Sequence, residues 1–551
     1  MLPALVDEVL LNKPAFFISS VDIVFGQGGA LYYIVIITLS VIILRLIYFL
    51  FNSIVTKIFT KISKYITFKI REQLLNHLQG VSMNEYETLG SGAVSANLIT
   101  DVNTLDNFII TTASKFISSV ITLIAIAIVM LIIDPILGLM ILIIQPMVIL
   151  LSKRISKKVK VLKKEENSSI EKFQNNIGEV LELFGQIKAS NKEKYFFNES
   201  IHKAKDIQIA SNEYNYKSVV YEKFSYTVFL IGFEFIRAAG LLMVVYSDLS
   251  IGMMFAMFGY IWFIMTPVQD ILTMQYSLAS TKAALERINK IFELKLEPNG
   301  VEELKDTQNK GISINLKNIN FSYTKDKKTL EDISLNIELK NKVALIGASG
   351  SGKTTLAQII AGFYTKNSGD IFYNDIPIET LDKHSIRKEI FLVLQMPILF
   401  NNTLRFNITM GAKNIKDEDI YNALKIAQLE NMIANMPQSL DTIVGHHGIR
   451  LSGGQRQRLS IARMIIANPK VVIFDESTSA LDVHTEANLF KALQPILETK
   501  TVITIAHRLS TVKSANIIYV LQEGKIVQKG SHQELENEDG HYNEFVKNQL
   551  L

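Results

Sequence analysis

Residues 343–354 read Val343-Ala344-Leu345-Ile346-Gly347-Ala348-Ser349-Gly350-Ser351-Gly352-Lys353-Thr354. The first four are apolar, two of them β-branched, which predicts a short buried strand. The next eight match G-x-x-x-x-G-K-[ST]. Glycines in that pattern let backbone N–H groups wrap a phosphate, and the helix that starts there turns its positive end to the anion. Lys353 would reach the β- and γ-phosphates of a nucleotide, and the Thr354 hydroxyl would bind Mg²⁺. Ala348, Ser349, Gly350, Ser351, Gly352 and Thr355 are the remaining candidates for the ATP cradle. A Gly-rich turn without a ligand is the alternative, and the strand before and helix after speak against it.

Short β-runs alternating with helical stretches continue on both sides of this loop. Residues 313–322 alternate like a half-buried strand, and residues 471–474 and 501–506 are β-branched like buried strands. A parallel α/β domain over residues 312–551 is predicted. The run Val471-Val472-Ile473-Phe474 ends in Asp475 and Glu476. An Asp at the end of such a strand suits a Mg²⁺ shell, and a carboxylate beside it can polarise an attacking water as general base. Leu451-Ser452-Gly453-Gly454-Gln455 precedes a helix bearing Arg456, Arg458 and Arg463. Ser452, two glycines and a helix N-terminus form a second phosphate half-site. One phosphate loop and one such half-site in a chain suggest a nucleotide closed between two copies.

Upstream, residues 284–311 are charged and broken by Pro298-Asn299-Gly300, as in a linker. Residues 1–283 are different in kind. Uncharged runs cover residues 116–133, 135–152 and 249–269, and apolar runs cover 30–52 and 221–246. A bilayer core of ~30 Å needs about 20 apolar residues per helix. Five spans are therefore predicted, at about 30–52, 112–133, 135–152, 221–246 and 249–269. Buried core helices of a soluble protein are the alternative, but runs this long are rare in such cores.

Between the spans, Lys57, Lys61, Lys64, Lys69 and Arg71 fall in one long segment, and residues 153–217 hold 14 Lys or Arg. The turns at Asp134 and at residues 247–250 hold none. Lys and Arg collect on the cytoplasmic side, so the long segments are expected in the cytoplasm, the tight turns outside, and residues 1–29 outside. Helical periodicity in the long segments predicts that the spans continue into the cytosol.

Composition agrees with a membrane protein. The 551 residues are 48% hydrophobic and only 20% charged, with mean hydropathy +0.22. No Cys is present, which excludes a disulfide scaffold, a thiolate metal site and a cysteine nucleophile. The net charge of +4 does not point to a nucleic-acid partner.

Together these motifs resemble those of an ATP-binding cassette (ABC) transporter of the exporter type, a half-transporter with membrane and ATPase domains in one chain. Leu451-Ser452-Gly453-Gly454-Gln455 is that family's signature word for word. The resemblance implies an all-α transmembrane domain followed by an α/β P-loop ATPase domain, with ATP and Mg²⁺ as ligands. It implies further roles residue by residue. Gln395, in Val393-Leu394-Gln395-Met396-Pro397, would touch Mg²⁺ and face the membrane domain. Asp482, in Ser479-Ala480-Leu481-Asp482, belongs to the D-loop that communicates between two sites. His507, in Ala506-His507-Arg508, would contact the γ-phosphate, and Tyr323 would stack on adenine. Short coupling helices are implied near residues 83–92 and 189–197.

Two departures stand out. Exporters usually read V-G-E-x-G before the signature, whereas this chain reads Val444-Gly445-His446-His447-Gly448, without the acid. Family half-transporters have six spans, and residues 1–7 resemble the outer end of their first helix, so the chain looks short by most of one span. A missing helix encoded upstream is the expected reason; a complete chain whose halves each lack one wall helix is the alternative.

Ionisable residues inside spans are candidates for substrate contact. Arg45 would bind an anionic headgroup or carboxylate, or else snorkel or pair with a neighbouring helix. Lys115 lies near the cytoplasmic end of its span and is expected to reach the interface. Glu234 and Arg237, three apart, pair with each other in the structural reading. The function expected is a homodimeric ATP-driven exporter in the cell membrane, with its ATPase domain in the cytoplasm. It would move an amphipathic or hydrophobic lipid, peptide or drug. An ATP-gated or regulatory protein, and an importer of the exporter fold, are the alternatives. A soluble ATPase acting on ribosomes or DNA is excluded by the spans.

Overall fold

The computed structural model describes residues 3–11, 13, 16–304, 311–324, 328–445, 451–476, 480–506 and 508–550, with backbone alone at 144–158, 222, 225, 272, 275, 276, 510 and 548–550. The chain divides into two compact units. One comprises Met1–Gln73 and Ala96–Lys290, the other Leu74–Ser95 and Ile291–Leu551.

The first unit is helical. Ala30–Gln79 has 50 residues, Pro135–Glu182 has 48 and Glu193–Tyr246 has 54. At 1.5 Å per residue, 50 residues measure roughly 75 Å, more than twice a bilayer core. Among the described residues four helical stretches are long and apolar enough to cross a membrane: Ala30–Gln79, Ser91–Ile133, Glu193–Tyr246 and Ile251–Ile271. The expected spans at 30–52, 112–133, 221–246 and 249–269 lie in or largely overlap these stretches. The one at 135–152 opens Pro135–Glu182, and its side chains from 144 onward lie outside the described residues. Phe16–Phe25 is a further apolar helix, too short to cross.

Local chemistry explains the turns. Asp134 Oδ1 accepts from Ile136 N and Leu137 N at 2.9 and 2.8 Å, with Pro135 in the first helical position, so one side chain stops a helix and starts the next. Asp7 caps the start of a further helix, which begins at Ile251, from a distance: its Oδ1 accepts from Gly252 N at 2.9 Å and its Oδ2 from Ser250 Oγ at 2.5 Å. The interior of this unit is apolar, with Met130, Leu137, Ile141, Phe229, Ile236, Met257 and Ile261 buried together.

Two expectations need correction. The last membrane helix runs from Ile251 to Phe292, so the linker expected from 284 begins as helix. Ala284, Ile288 and Ile291 are buried at helical spacing and prolong the stripe past the charges between them. In place of the coupling helix expected at 189–197, a short helix lies at Phe184–Ala189. Asn191 follows in the left-handed region at φ 52°, a conformation Asn tolerates, and residues 193–197 already belong to Glu193–Tyr246.

In the second unit, β1 (Ile314–Phe321), β2 (Leu330–Ile337), β4 (Ser368–Tyr373) and β5 (Ile376–Pro377) form an antiparallel sheet in the order β2-β1-β4-β5. A second sheet contains β3 (Lys342–Gly347), β6 (Ile390–Val393), β7 (Val471–Asp475), β8 (Thr501–Ile505), β9 (Ile517–Gln522) and β10 (Lys525–Gly530). Its order is β10-β9-β3-β8-β7-β6. All neighbours in it are parallel except β9 and β10. Strands buried on both faces need the uninterrupted apolar runs seen at β3 and β7. Leu316, Leu335, Leu345, Ile360, Ile473 and Tyr519 share the core between the sheets. A helical lobe with its own core of Leu404, Ile408, Leu424, Leu459 and Ala462 carries the signature helix Gly453–Ala467.

The short helix at the place expected for the first coupling helix belongs to this unit. It spans Met83–Leu89, and Tyr364 donates its phenol hydrogen to Glu87 Oε2 at 2.7 Å. Tyr364 is buried, and burial, helped by Glu87, holds its phenol well above the usual range.

Candidate active site

The order of the second sheet places the phosphate loop and the acidic strand end one strand apart. β3 delivers Gly347 at its carboxyl end, β7 delivers Asp475, and β8 lies between them. At Gly347 the backbone has φ 149°, and a Cβ would lie 2.1 Å from Leu521 O. Gly352, at φ 99°, caps the helix Lys353–Ile360, where a Cβ would meet Leu330 Cδ2 at 2.6 Å. Only glycine fits either position. Lys353 is buried and folds back over the loop, donating from Nζ to Gly347 O and Ala348 O, both at 2.9 Å. Burial pulls its ammonium below the usual range, opposed by the nearby carboxylates of Glu476 and Asp475. Among the described residues Ser351 Oγ, buried, has no hydrogen-bond partner.

Thr354 Oγ1 donates to Asp475 Oδ1 at 3.1 Å. Tyr323 lies at the lip of the loop, 38% exposed. Its hydroxyl is 3.0 Å from Thr355 Oγ1, and its ring stands edge-on to Phe321 and Tyr364. One further step along β7, Glu476 adopts φ 44°, left-handed for a residue with a Cβ. Its Oε2 accepts from Gln395 Nε2 at 2.6 Å. The pairing Val393↔Phe474 between β6 and β7 brings these two side chains together.

The signature segment is built as a capping box. Ser452 Oγ accepts from Gln455 N at 3.2 Å while Gln455 Oε1 accepts from Ser452 N at 2.8 Å. That leaves the Ser452 hydroxyl hydrogen able to point outward. Gly454 is tight against the D-loop, where a Cβ would lie 2.9 Å from Leu481 Cδ2. Asp482 is the N-cap of Val483–Leu497, accepting from Thr485 N at 2.9 Å, and the Thr485 hydroxyl, followed by this backbone bond, holds its carboxyl below the usual range.

The chain matches the ABC transporter transmembrane region over residues 5–268 and the ABC transporter family over residues 330–479. It is 31% identical to the ATP-dependent lipid A-core flippase of Legionella pneumophila (strain Paris), across 89% of this chain and 83% of that protein. The chain belongs to the ABC transporters of the exporter type. A putative multidrug export ATP-binding/permease protein of Bacillus subtilis (strain 168) is also 31% identical, across 88% of this chain and 84% of that protein. The fold is that of a bacterial Atm1-family ABC exporter with ATP bound, which superposes at a TM-score of 0.81 with 23% identity over 97% of this chain and 94% of that one.

Of the transporter's expected site residues, the structure brings Lys353, Thr354, Asp475, Glu476 and Gln395 into one cluster, with Tyr323 and Thr355 at its edge. His507 lies outside the described residues, as do Ser479, His446, His447 and Gly448. Glu234 and Arg237 form an ion pair of 2.5 Å. Arg45 is exposed on Ala30–Gln79 and has no part in that pair.

Two residues of the transporter's ATPase unit escaped sequence reasoning. Gln457 is buried at 3% exposure. Its Nε2 donates to Gln395 O at 3.0 Å, and its Oε1 accepts from Ala480 N at 3.1 Å. Arg508 donates to Leu481 O at 3.1 Å and pairs with Glu486. The available signal was a polar Gln457 on the stripe it shares with Ile461 and Met464, both buried.

Proposed function

We propose that the chain is an ATP-hydrolysing exporter that works as a homodimer, with its ATPase unit in the cytoplasm. The observation that carries the reading is the cluster of Lys353, Thr354, Asp475, Glu476 and Gln395. Its chemistry fits Mg-ATP. Ser351 Oγ is buried without a partner among the described residues, and Thr354 Oγ1 and Asp475 Oδ1 form a pair of hard oxygens. That suits Mg²⁺, which is usually held by one or two carboxylates together with substrate phosphates. Thr354, Asp475 and Gln395 Oε1 would hold the ion, which when bound neutralises charge developing on the β- and γ-phosphates.

The side chains divide the remaining work. Lys353 exchanges its two loop carbonyls for phosphate oxygens. Gln395 orients Glu476, which takes the proton of the attacking water. His507 and Tyr323 are assigned to the γ-phosphate and the adenine. Ser452, Gly453, Gly454 and Gln455 of a second copy would close the nucleotide, and Asp482 would couple the two sites. Every motif of a composite site is present in one chain, which supports identical partners. The relatives' names, a lipid flippase and a multidrug exporter, support an amphipathic or hydrophobic cargo. Arg45 is the candidate for an anionic headgroup.

In proteoliposomes the wild type is expected to move a fluorescent lipid or dye in the presence of ATP. Glu476→Gln is expected to bind ATP normally and lose turnover by roughly 10²–10⁴-fold, and transport with it. Transport by Glu476→Gln at the wild-type rate would overturn hydrolysis-driven export in favour of an ATP-gated protein.

A further inference from the structure

We infer that Gln457 is a positioning residue for ATP hydrolysis, its buried carboxamide fixing the backbone at Gln395 and at Ala480 and, through Gln395, the carboxylate of Glu476. The inference rests on the proposed ATPase function.

The amide has no freedom of orientation. Gln395 O can only accept and Ala480 N can only donate, so Nε2 and Oε1 of Gln457 each have one place. Both partners are loop groups. Gln395 follows the end of β6, and Ala480 lies between β7 and Val483–Leu497. One side chain on the signature helix therefore spans the two loops that leave neighbouring parallel strands. The chain of contacts is short: Gln457 Nε2 to Gln395 O at 3.0 Å, then Gln395 Nε2 to Glu476 Oε2 at 2.6 Å. Five residues earlier on the same segment stands Ser452, whose helix start packs against Ala480 and Leu481 through Gly453 and Gly454. A change at residue 457 thus reaches the general base and the D-loop at once. Misplacing a reacting group by about 1 Å can lower a rate roughly 100-fold.

The test separates this role from plain support of the fold. In Gln457→Glu the shape is kept. An ionised carboxylate still accepts from Ala480 N but cannot donate to Gln395 O, whereas a protonated one can. Steady-state ATPase of the full-length protein in detergent is expected to show kcat about 10- to 100-fold lower near neutral pH, with KM for ATP close to that of the wild type. Relative to wild type, kcat is expected to rise as pH falls, because protonation restores the donor. Gln457→Met, of similar length with no donor, is expected to lose kcat equally at every pH and decides the matter if Gln457→Glu does not fold. Thermal unfolding and fluorescent-ATP binding accompany each variant. Wild-type kcat in both variants, while Glu476→Gln is inactive in the same assay, would overturn the role of Gln457 alone. A loss that tracks the melting temperature, with no pH dependence in Gln457→Glu, would reduce Gln457 to a structural residue. An inactive wild type would instead strike the ATPase reading itself.

Discussion

Gly347 turns the chain beneath Leu521 O, and the space for a side chain there is already occupied. Gly347→Ala is therefore expected to destabilise the ATPase unit by about 1–3 kcal/mol and to weaken ATP binding. Thermal unfolding and a fluorescent-ATP titration check both, and an unchanged melting temperature would mean that the loop yields. The phosphate loop was legible because its chemistry is local: strand, glycines, lysine and hydroxyl follow one another. Gln457 and Arg508 were not, because their partners lie 62 and 27 residues away along the chain, and no periodicity in the sequence names the loop groups they reach. Asp482 shows a further limit. The family resemblance assigned it to communication between sites, and the structure adds that it caps Val483–Leu497, a role any acidic residue before a helix can fill.

At the level of elements, the helix Gly453–Ala467 shows how one residue can be asked to do two things. Ser452 caps it, and the same hydroxyl is assigned to phosphate. The two roles separate by substitution. Ser452→Ala is expected to lose about 1 kcal/mol of stability with the cap and to lose hydrolysis. Ser452→Asp keeps a strong cap and favours the helix dipole, so stability is expected to hold while ATPase falls, since a carboxylate would face the phosphate. Normal hydrolysis by Ser452→Asp would remove the signature from the nucleotide site. Strands β1, β3, β7 and β8 were readable because alternation or a continuous apolar run marks each of them. The end of Ile251–Phe292 was misread because Glu286, Arg287 and Lys290 resemble a solvated loop. The buried stripe of Ala284, Ile288 and Ile291 decides for helix. The break after Phe184–Ala189 rests on the single left-handed residue Asn191, which carries no periodic signal.

For the whole molecule, the decisive unit is the proposed pair of chains. Homodimers altered at Ser452 or at Lys353 are each expected to be inactive. A mixed dimer with one chain of each kind is expected to recover one working site, because both lesions then fall in the same composite site. ATPase of co-expressed, differently tagged chains purified over both tags measures this, and no recovery would count against sites shared between chains. Glu476 gives the pairing a sharper edge. Its left-handed backbone costs roughly 1–2 kcal/mol, so the fold gains little from the residue that the chemistry needs. A chain inactivated there would still fold, escape the proteases that clear unstable proteins, reach the membrane and pair with intact copies. Each such pair would keep one complete site, the intact chain's Glu476 facing the altered chain's signature, so in genetic terms a normal copy of the gene would soften the allele's effect.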